Sequence, residues 1–424
     1  MSVIPLYGGL SDFGYYFADV LIGTPSQRMS VILDTGSEGL SVTCSTCEHC
    51  GTKHMDPLYN PGASLSFIDE NQCFSRHWIR APVCVYEKKY LEGSSLVGRF
   101  ATDFVKLGQT QKRIRFGCIE SETKLFLEQR ANGILGLAPS IRTYWFTQGL
   151  PEEIDTFSVC LATHGGDLEF FSSNPTIDLD FKLEYVDNHY VVKPATVEID
   201  GDAELDLDAI LGDQVLFDTG STVTYLNDFL FRKISSIVSE RASAAKLKLD
   251  YLPVRDPTMC WISEAPFSEF LNLLPKIVFV FTSETGYNQS LTFHNYAFID
   301  ANNRYCLRIA SNGSLRRTDL GAPFMVGKKF FFTPRKGKFG FIDSANCTER
   351  VLEDRLPVEP VPNQLTANLV SHEPAHATEF FIVFFLLVSI TASALLCIVR
   401  RSVYRPMSQE LEEFHIGSPN SQLE

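Results

Sequence analysis

The strongest constraint on the fold of this chain is a short motif that occurs twice. An apolar run ends in an acid, a hydroxyl residue, a glycine and a second hydroxyl residue, first at residues 31–37 and again at residues 215–222. Such a run is typical of a buried strand, and the glycine lets the following turn bring backbone N–H groups close to the acid. The sequence therefore predicts two similar strand-and-turn units, about half the chain apart.

The acids of the two turns are Asp34 and Asp218. If the turns face each other, both carboxylates lie within hydrogen-bond reach of one water. Like charges that close cannot both ionise at ordinary pH, so the pair should share a proton. One acid can then act as a general base on the water while the other acts as a general acid on a carbonyl. Asp-Thr-Gly is also ordinary turn chemistry, but two copies that each follow an apolar run favour the paired acids.

Over nearly all of residues 1–350, the pattern resembles the pepsin-like aspartic proteases. The motifs that carry the resemblance are a strand and turn at 15–25, an apolar-apolar-glycine motif at 131–137, a matching element of the second half at 324–327 with 338–341, and a flap-tip sequence at 90–94. The resemblance implies a bilobal fold dominated by β-strands. Its N-terminal catalytic lobe would cover residues 1–182 and its C-terminal catalytic lobe residues 183–350.

The resemblance also implies roles for the residues of the turns. Asp34 and Asp218 would activate a water that attacks a peptide carbonyl, with no covalent intermediate, metal or cofactor. The threonines would brace the turns against each other, the glycines would keep side chains away from the acids, and the following hydroxyls would bond the carboxylates, with two alternatives in the second turn. These supporting residues are Thr35, Gly36, Ser37, Thr219, Gly220 and the alternatives Ser221 and Thr222.

A flap is predicted at residues 85–100, as a hairpin of two strands that turns at Glu92 and Gly93. Tyr90 would close over the substrate, although a strand aromatic is its ordinary interpretation. Many pepsins carry a Trp after the first acid, and here residues 39–42 replace it, which leaves the partner of Tyr90 open.

Eleven cysteines are many for a cytosolic protein, and ten of them precede residue 350. An even luminal count predicts disulfides formed in an oxidising compartment. A Cys-x-x-Cys-x-x-Cys run opens a predicted insert at 44–84 and, with His49 and His54, is able to bind zinc; we favour a disulfide-stapled loop and no metal. We expect bonds among Cys44, Cys47, Cys50, Cys73, Cys84 and Cys118. The resemblance adds Cys260 with Cys306 in the second lobe, and Cys160 with Cys347 between the lobes as in nepenthesin-type relatives.

The position and spacing of this insert resemble the plasmepsin V-like branch, whose members are anchored endoplasmic reticulum proteases of malaria-type parasites. That branch carries a Glu at the position of Glu92 and cleaves after Leu in Arg-x-Leu export motifs. Alone, Glu92 is typical of a solvated turn acid; over a cleft, it can meet a substrate guanidinium. The alternatives are a beta-secretase-like anchored protease of Golgi or endosomes and a non-catalytic pepsin-like peptide-binding protein, against which the two intact acids argue.

The C-terminal part of the chain changes character. Residues 351–379 are typical of an extended stalk. The uncharged run 380–399 is long enough to cross a bilayer as a helix, with a buried helix as the alternative. Arginines follow it, which places the tail 400–424 in the cytosol and the lobes in the lumen of the secretory pathway, as a single-pass type I protein. The resemblance to the plasmepsin V-like branch implies the membrane of the endoplasmic reticulum. The first residues have no signal-peptide pattern, so we expect a mature or truncated form.

Charge and periodicity complete the interpretation. A net charge of −14 argues against a nucleic-acid partner. The resemblance to aspartic proteases implies polypeptide substrates. The sequence leaves the oligomeric state open, and we expect a monomer. After the second acid, Asn227 is a predicted cap for an amphipathic helix that runs to about Lys246. Its apolar stripe, which includes Phe229, Ile234, Ile237 and Val238, is predicted to belong to the core.

Overall fold

The computed structural model of the protein describes residues 2–70, 85–90, 93–139, 154–172, 180–201, 214–250, 259–294, 296–313, 317–355 and 357. In these residues strands dominate and helices are few, as predicted. The α-helices described are α1 (Asp228–Ala244) and α2 (Phe267–Leu271), and the 3-10 turns are Pro61–Ala63, Lys124–Leu127, Ala322–Phe324, Pro334–Lys336 and Leu352–Asp354.

The largest sheet has fourteen strands and joins elements from both ends of the chain. Its strands are β1 (Ser2–Gly9), β2 (Tyr15–Ile22), β3 (Gln27–Asp34), β4 (Glu38–Thr43), β5 (Ile68–Asp69), β6 (Val85–Lys89), β7 (Ser95–Leu107), β8 (Thr110–Glu122), β9 (Gly133–Leu137), β10 (Thr156–Leu161), β11 (Gly166–Phe171), β12 (Phe181–Lys182), β26 (Lys329–Thr333) and β27 (Lys338–Ile342). They lie in the order β12-β27-β26-β10-β11-β1-β2-β3-β9-β4-β8-β7-β5, and β6 pairs with β7. The strands β6 and β7 form the predicted flap hairpin.

Three smaller sheets lie in the second half. A six-stranded sheet, in the order β13-β14-β16-β25-β17-β24, consists of β13 (Glu184–Val186), β14 (His189–Val192), β16 (Val215–Asp218), β25 (Thr318–Gly321), β17 (Thr224–Leu226) and β24 (Ile309–Ser311). A three-stranded sheet holds β15 (Thr196–Ile199), β20 (Ile277–Thr282) and β21 (Asn288–Phe293), and a four-stranded sheet holds β18 (Lys248–Asp250), β19 (Cys260–Ile262), β23 (Tyr305–Leu307) and β22 (Ala297–Ile299).

The two Asp-Thr-Gly turns are built by the same arrangement of strands. In the first half β3 runs parallel to β9, so that Asp34 lies opposite Gly136, and β4 returns antiparallel to β9. In the second half β16 runs parallel to β25, so that Asp218 lies opposite Gly321, and β17 returns antiparallel to β25. Each acid therefore ends a buried strand, beside a glycine on the strand that crosses behind it.

The strand behind the second acid corrects one expectation. The apolar-glycine motif at 324–327 was predicted to match residues 131–137, but β25 at Thr318–Gly321 takes that place. The reason is close packing: a Cβ at Gly136 would lie 2.5 Å from the carbonyl oxygen of Ser37, and a Cβ at Gly321 would lie 2.6 Å from that of Val223. A glycine is needed where the strand passes behind the turn, and Gly327 has no such neighbour within 4 Å.

Aromatic side chains fill the core where the halves share the large sheet. Strand β10 pairs with β26, and Phe157 stacks on Phe332 with ring centroids 4.8 Å apart. Phe217, one residue before the second acid, packs on Phe330 and Phe339 with centroids 5.0 Å apart in each case. This packing supports the strand that carries Asp218. The predicted lobe boundary after residue 182 stays a prediction.

Helix α1 begins where it was predicted to begin, because Asn227 Oδ1 accepts a hydrogen bond from the N–H of Leu230, 2.9 Å away. Its buried face includes Leu230, Ile234 and Val238, whereas Phe229 is 47% exposed. Phe229 was predicted to be part of the core stripe and is not, because the first turn of the helix presents Leu230 to the core instead.

The predicted stalk begins in contact with the body of the protein. The Arg355 guanidinium lies 2.6 Å from Asp19 Oδ1 and 2.6 Å from Asp56 Oδ2, and all three side chains are buried. Among the residues that the structure describes, no helix is long and apolar enough to span a membrane. The predicted span at 380–399 and the tail lie outside the described residues.

Candidate active site

The two Asp-Thr-Gly turns face each other and are tied together by four hydrogen bonds. The N–H of Thr35 donates to Thr219 Oγ1 and the N–H of Thr219 donates to Thr35 Oγ1, each at 3.0 Å. The two hydroxyls donate across to backbone carbonyls, Thr35 to Phe217 at 2.7 Å and Thr219 to Leu33 at 2.8 Å. Both threonines are fully buried, so each turn fixes the position of the other.

Glycines leave room for the two carboxyl groups to approach. A Cβ at Gly36 would lie 2.5 Å from Asp218 Cγ. A Cβ at Gly220 would lie 2.6 Å from Asp34 Oδ1 and 3.2 Å from Asp218 Oδ1. Oxygens of both carboxyl groups therefore surround the same small space. Any side chain larger than hydrogen at either position would occupy it.

The two carboxyl groups have different hydrogen-bond partners. Asp34 accepts from the N–H of Gly36 at 2.9 Å and from the hydroxyl of Ser37. Asp218 accepts from the N–H of Gly220 at 2.9 Å. The hydroxyl of Ser221 donates instead to the carbonyl of Val223, 2.6 Å away, and Thr222 is exposed. The first turn therefore gives its acid a side-chain hydroxyl donor, which the structure does not show in the second.

Burial raises the pKa of Asp218 well above its usual range, and the neighbouring Asp34 raises it further by charge repulsion and a shared hydrogen bond. The N–H of Gly220 acts in the opposite direction and is outweighed. Two close carboxyl groups with one proton between them are the expected result. Asp218 is the member that holds this proton, because burial and the neighbouring carboxyl group raise its pKa.

The flap lies beside this pair. Tyr90 follows β6, its N–H donates to the carbonyl of Ser94, and its ring meets that of Phe126 edge-on with centroids 5.0 Å apart. Gly93 has a φ of +87°, which favours glycine, and its N–H donates to the carbonyl of Tyr90 at 2.9 Å. Glu92 lies outside the described residues.

Sequence reasoning missed a lysine near the acids. Lys88 Nζ donates to the carbonyl of Glu38, 2.6 Å away, at the start of the strand that follows the first turn. Burial lowers the pKa of Lys88, while the charges of Asp34 and Glu38 act to raise it. A lysine on a hairpin strand is typical of a solvent-facing position, so the sequence alone carried no signal for this contact.

The described cysteines form four disulfides. In the insert region Cys44 is bonded to Cys118 and Cys47 to Cys50, so these sulfurs are not available to a zinc ion. The pairs that the resemblance implied are also present, namely Cys160 with Cys347 and Cys260 with Cys306. Cys73 and Cys84 lie outside the described residues.

Of the two histidines considered as zinc ligands, His49 is exposed and His54 has a different partner. His54 Nε2 lies 3.4 Å from Glu122 Oε2, and both side chains are buried. Glu122 also accepts from the hydroxyl of Thr43 at 2.6 Å and from the N–H of Gly51 at 2.9 Å. Burial acts to lower the pKa of His54, but the bond and charge of Glu122 outweigh it, and the pKa is raised. This ion pair fastens the insert to β8.

Two aspartates in facing, cross-braced turns are the arrangement expected of the two-aspartate site of pepsin-like proteases, and the comparisons agree. Residues 16–170 match the family model described as xylanase inhibitor N-terminal. The chain is 34% identical to aspartic protease 5 of Toxoplasma gondii over 203 residues, which is 41% of this chain and 21% of that protein. It is 34% identical to plasmepsin V of Plasmodium falciparum over 197 residues, which is 40% of this chain and 32% of that protein.

A plant relative is matched over a longer stretch. The aspartyl protease UND of Arabidopsis thaliana is 24% identical over 373 residues, which cover 81% of this chain and 88% of that protein. The matched part of the chain spans only about a fifth to a third of the length of the first two relatives. The predicted resemblance to pepsin-like aspartic proteases, including plasmepsin V, is confirmed by these matches. The predicted enzyme class, an aspartic-type endopeptidase, agrees with the names of the relatives.

Proposed function

We propose that this protein is an aspartic endopeptidase whose catalytic residues are Asp34 and Asp218. The observation that carries the proposal is the cross-brace between Thr35 and Thr219, which holds two carboxyl groups around one small space. Four buried hydrogen bonds between two turns that are distant in sequence fix the position of one turn relative to the other. A pair of acids that shares a proton can supply both a base and an acid to one reaction.

The reaction follows from the two protonation states. The carboxylate of Asp34 takes a proton from a water, whose oxygen attacks the carbonyl carbon of the peptide. The carboxyl of Asp218 gives its proton to the carbonyl oxygen, which forms a tetrahedral diol. Asp34 then gives its proton to the leaving nitrogen, and Asp218 takes one from a hydroxyl of the diol as the C–N bond breaks. The pair returns to its starting state without a covalent intermediate.

We also propose a bilobal arrangement in which polypeptide substrates lie between the flap and the two acids. The flap hairpin of β6 and β7 carries Tyr90 on the side of the first turn, where Lys88 reaches the backbone of Glu38. Closure of such a hairpin would exclude water from the acids during the reaction.

The most direct test is cleavage-site mapping. The purified full chain is incubated with a peptide library at several pH values, and the products are identified by mass spectrometry. We expect internal cuts, which an inhibitor with a secondary hydroxyl in place of the scissile carbonyl suppresses because it mimics the diol. Binding of that inhibitor without any cleavage would instead identify a non-catalytic peptide-binding protein.

The specificity proposed for this site is cleavage after Leu in Arg-x-Leu sequences, with Glu92 as the partner of the Arg. It is supported by the 34% identity to plasmepsin V and by the position of Glu92 in the flap tip between Tyr90 and Gly93. Arg should be preferred to Lys, because only the guanidinium forms a two-pronged contact with a carboxylate.

Two peptides that differ only in Arg or Lys test this specificity. We expect a preference for Arg of about tenfold to a hundredfold in kcat/KM, which Glu92→Gln removes. Glu87→Gln is the matched control, because Glu87 lies on the same hairpin, half exposed, and pairs with Lys89 at 2.8 Å. Equal cleavage of both peptides by the wild type, or a preference that survives in Glu92→Gln, contradicts the assignment.

We further propose that the chain is anchored in a secretory-pathway membrane, that of the endoplasmic reticulum, by residues 380–399, with the catalytic part in the lumen. Its disulfides and the uncharged run followed by arginines support this topology. Protease added to sealed microsomes should remove only the tail after residue 400. Digestion of the catalytic part without detergent would reverse the orientation. Microscopy with compartment markers distinguishes this location from the Golgi or endosomal location of a beta-secretase-like protease.

A further inference from the structure

A cavity of about 820 Å³ lies where the two halves of the described structure meet, outside the paired acids. The first half contributes Leu10 and Ser11 to its wall, and the second half contributes Phe298, Arg308 and Phe324 among others. Phe and Tyr rings form part of its wall, together with aliphatic and polar side chains and the one guanidinium of Arg308. The volume is in the range of pockets that bind small molecules or several side chains of a peptide.

Arg308 is held in this wall without an acidic partner. Its Nη2 donates to the carbonyl of Leu10 at 3.2 Å, and its Cζ lies 4.4 Å from the centroid of the Phe298 ring. The side chain is half-buried, and no carboxylate of the described residues lies within ion-pair distance of it. Burial lowers the pKa of Arg308, yet a guanidinium stays charged at any working pH.

The other charged groups of the cavity are already neutralised. Lys328 lies 2.9 Å from Asp343, and Asp300 lies 2.6 Å from Arg304. Arg308 thus keeps most of its five N–H donors for a ligand. A half-buried cation without a counter-ion is costly, and an anionic ligand that enters the cavity would offset that cost.

The backbone of Arg308 connects the cavity to the catalytic turn. Its carbonyl accepts from the N–H of Thr224 at 2.9 Å, where β24 begins to pair with β17. Strand β17 follows the second turn, and Thr224 Oγ1 accepts from the N–H of Gly321, which lies opposite Asp218. An extended peptide advances about 3.3 Å per residue. A peptide cut at the acids can therefore place a side chain in this cavity a few residues from the scissile bond.

We propose that this cavity is a specificity subsite for an acidic side chain of the polypeptide substrate, with Arg308 as the residue that recognises its carboxylate. The aromatic rings of the wall would pack on the methylene groups of that side chain. This inference rests on the proposed function, because it takes the ligand to be a peptide bound across the two acids. The acidic substrate side chain that Arg308 would bind is a different residue of the substrate from the arginine assigned to Glu92, and it has the opposite charge.

The test is a positional scan with amidated Arg-x-Leu peptides, so that a free C-terminal carboxylate does not compete. Glu and Gln are exchanged at each position around the scissile bond, and kcat/KM is measured for the full chain in detergent. At one position we expect Glu to be preferred to Gln by about tenfold. Arg308→Met should reduce that ratio to about one, while Arg308→Lys should keep part of it. Because the ratio compares two peptides on one protein, a general loss of activity cancels.

Arg232→Met is the matched control, since Arg232 is an exposed arginine of the second half that pairs with Asp228 at 2.7 Å. It should keep the wild-type ratio. Absence of any position with a Glu preference, or a preference that Arg308→Met retains, overturns the subsite. Binding of the same peptides to Asp218→Asn, measured by fluorescence anisotropy, separates the two proposals. If the wild type cuts no peptide, but Asp218→Asn binds the Glu peptide more tightly than the Gln peptide and loses that preference when Arg308→Met is added, the subsite is supported and the protease is rejected.

Discussion

The two Asp-Thr-Gly turns have nearly the same sequence but different hydrogen bonds. In the first, the hydroxyl of Ser37 donates to Asp34. In the second, the hydroxyl of Ser221 donates to the carbonyl of Val223 and leaves the carboxyl of Asp218 with its backbone donor. The backbone parts of the turns are equivalent, down to the reciprocal threonine bonds. The different orientation of one serine hydroxyl therefore gives the carboxyl groups of two similar motifs different hydrogen-bond donors.

This difference assigns the two chemical roles. A hydroxyl donor favours the charged form of a carboxyl group, and its absence together with burial favours the protonated form. In the proposed reaction Asp218 is the acid, because burial and the neighbouring Asp34 raise its pKa, and Asp34 is the base. A symmetrical architecture thus supports an asymmetric reaction. Substitutions in the two turns can therefore either disturb the structure that they share or test the hydrogen bonds in which they differ.

The largest effect is expected from filling the space between the turns. Gly36→Ala and Gly220→Ala should each lower kcat/KM by about a hundredfold or more, because the new methyl group would displace the opposite carboxyl group. Gly62→Ala is the matched control, since its Cβ would lie 3.3 Å from Asn60 Oδ1, remote from the acids. Wild-type activity in both turn variants would contradict the close approach of the acids.

The next largest effect is expected from breaking the threonine cross-brace that the two turns share. Thr35→Val and Thr219→Val should each lower the free energy of unfolding by about 1–3 kcal/mol, because each leaves a buried backbone N–H without its partner. Urea denaturation measures this loss. Thr35→Ser, which keeps the hydroxyl, should lose less. A large loss for one threonine only would show that the brace is not reciprocal.

The difference between the turns predicts a smaller effect. Ser37→Ala should lower kcat/KM by about tenfold, because the carboxyl group of Asp34 loses a hydroxyl donor. Ser221→Ala should lower it less, since its hydroxyl bonds the carbonyl of Val223 and not the carboxyl of Asp218. Equal losses in both variants would remove the asymmetry.

The smallest effect is expected on the pH dependence of stability, through the ion pair of His54 and Glu122. The raised pKa of His54 means that the folded protein holds the proton more tightly than the unfolded chain. The pair is therefore fully stabilising below the unfolded pKa of about 6.5, and this stabilisation is lost as pH rises through the folded pKa.

His54→Gln should accordingly destabilise the protein by about 1–3 kcal/mol at pH 5 and by less at pH 8. Thermal melting at the two pH values measures the difference. His49→Gln is the control, because the side chain of His49 is exposed in the same insert. A loss that is the same at both pH values would show that His54 contributes by packing and not by charge.

Local patterns explain what could be predicted from the sequence. The two turns, the flap hairpin and the cap at Asn227 depend on residues that are close in sequence, and the structure has all three. The pairs Cys160 with Cys347 and Cys260 with Cys306 were implied by resemblance and are present as well.

What could not be predicted depends on contacts between distant segments. The choice of residues 318–321 as the strand behind the second acid depends on close packing against Val223, which a short apolar-glycine motif does not reveal. The orientation of Ser221, the reach of Lys88 to Glu38 and the burial of Arg355 between two aspartates likewise require the folded chain. Polar residues gave no signal in these cases, because a solvated side chain is their ordinary state.

The central claim is tested most directly by measuring kcat/KM of the wild type, Asp34→Asn and Asp218→Asn on one peptide in one preparation. The Asn side chain keeps the shape of the carboxyl group and removes its titration. We predict a loss of about a thousandfold or more in each variant, with folding unchanged by circular dichroism, because each acid has a role that the other cannot fill. Cleavage at the wild-type rate by either variant would contradict the account.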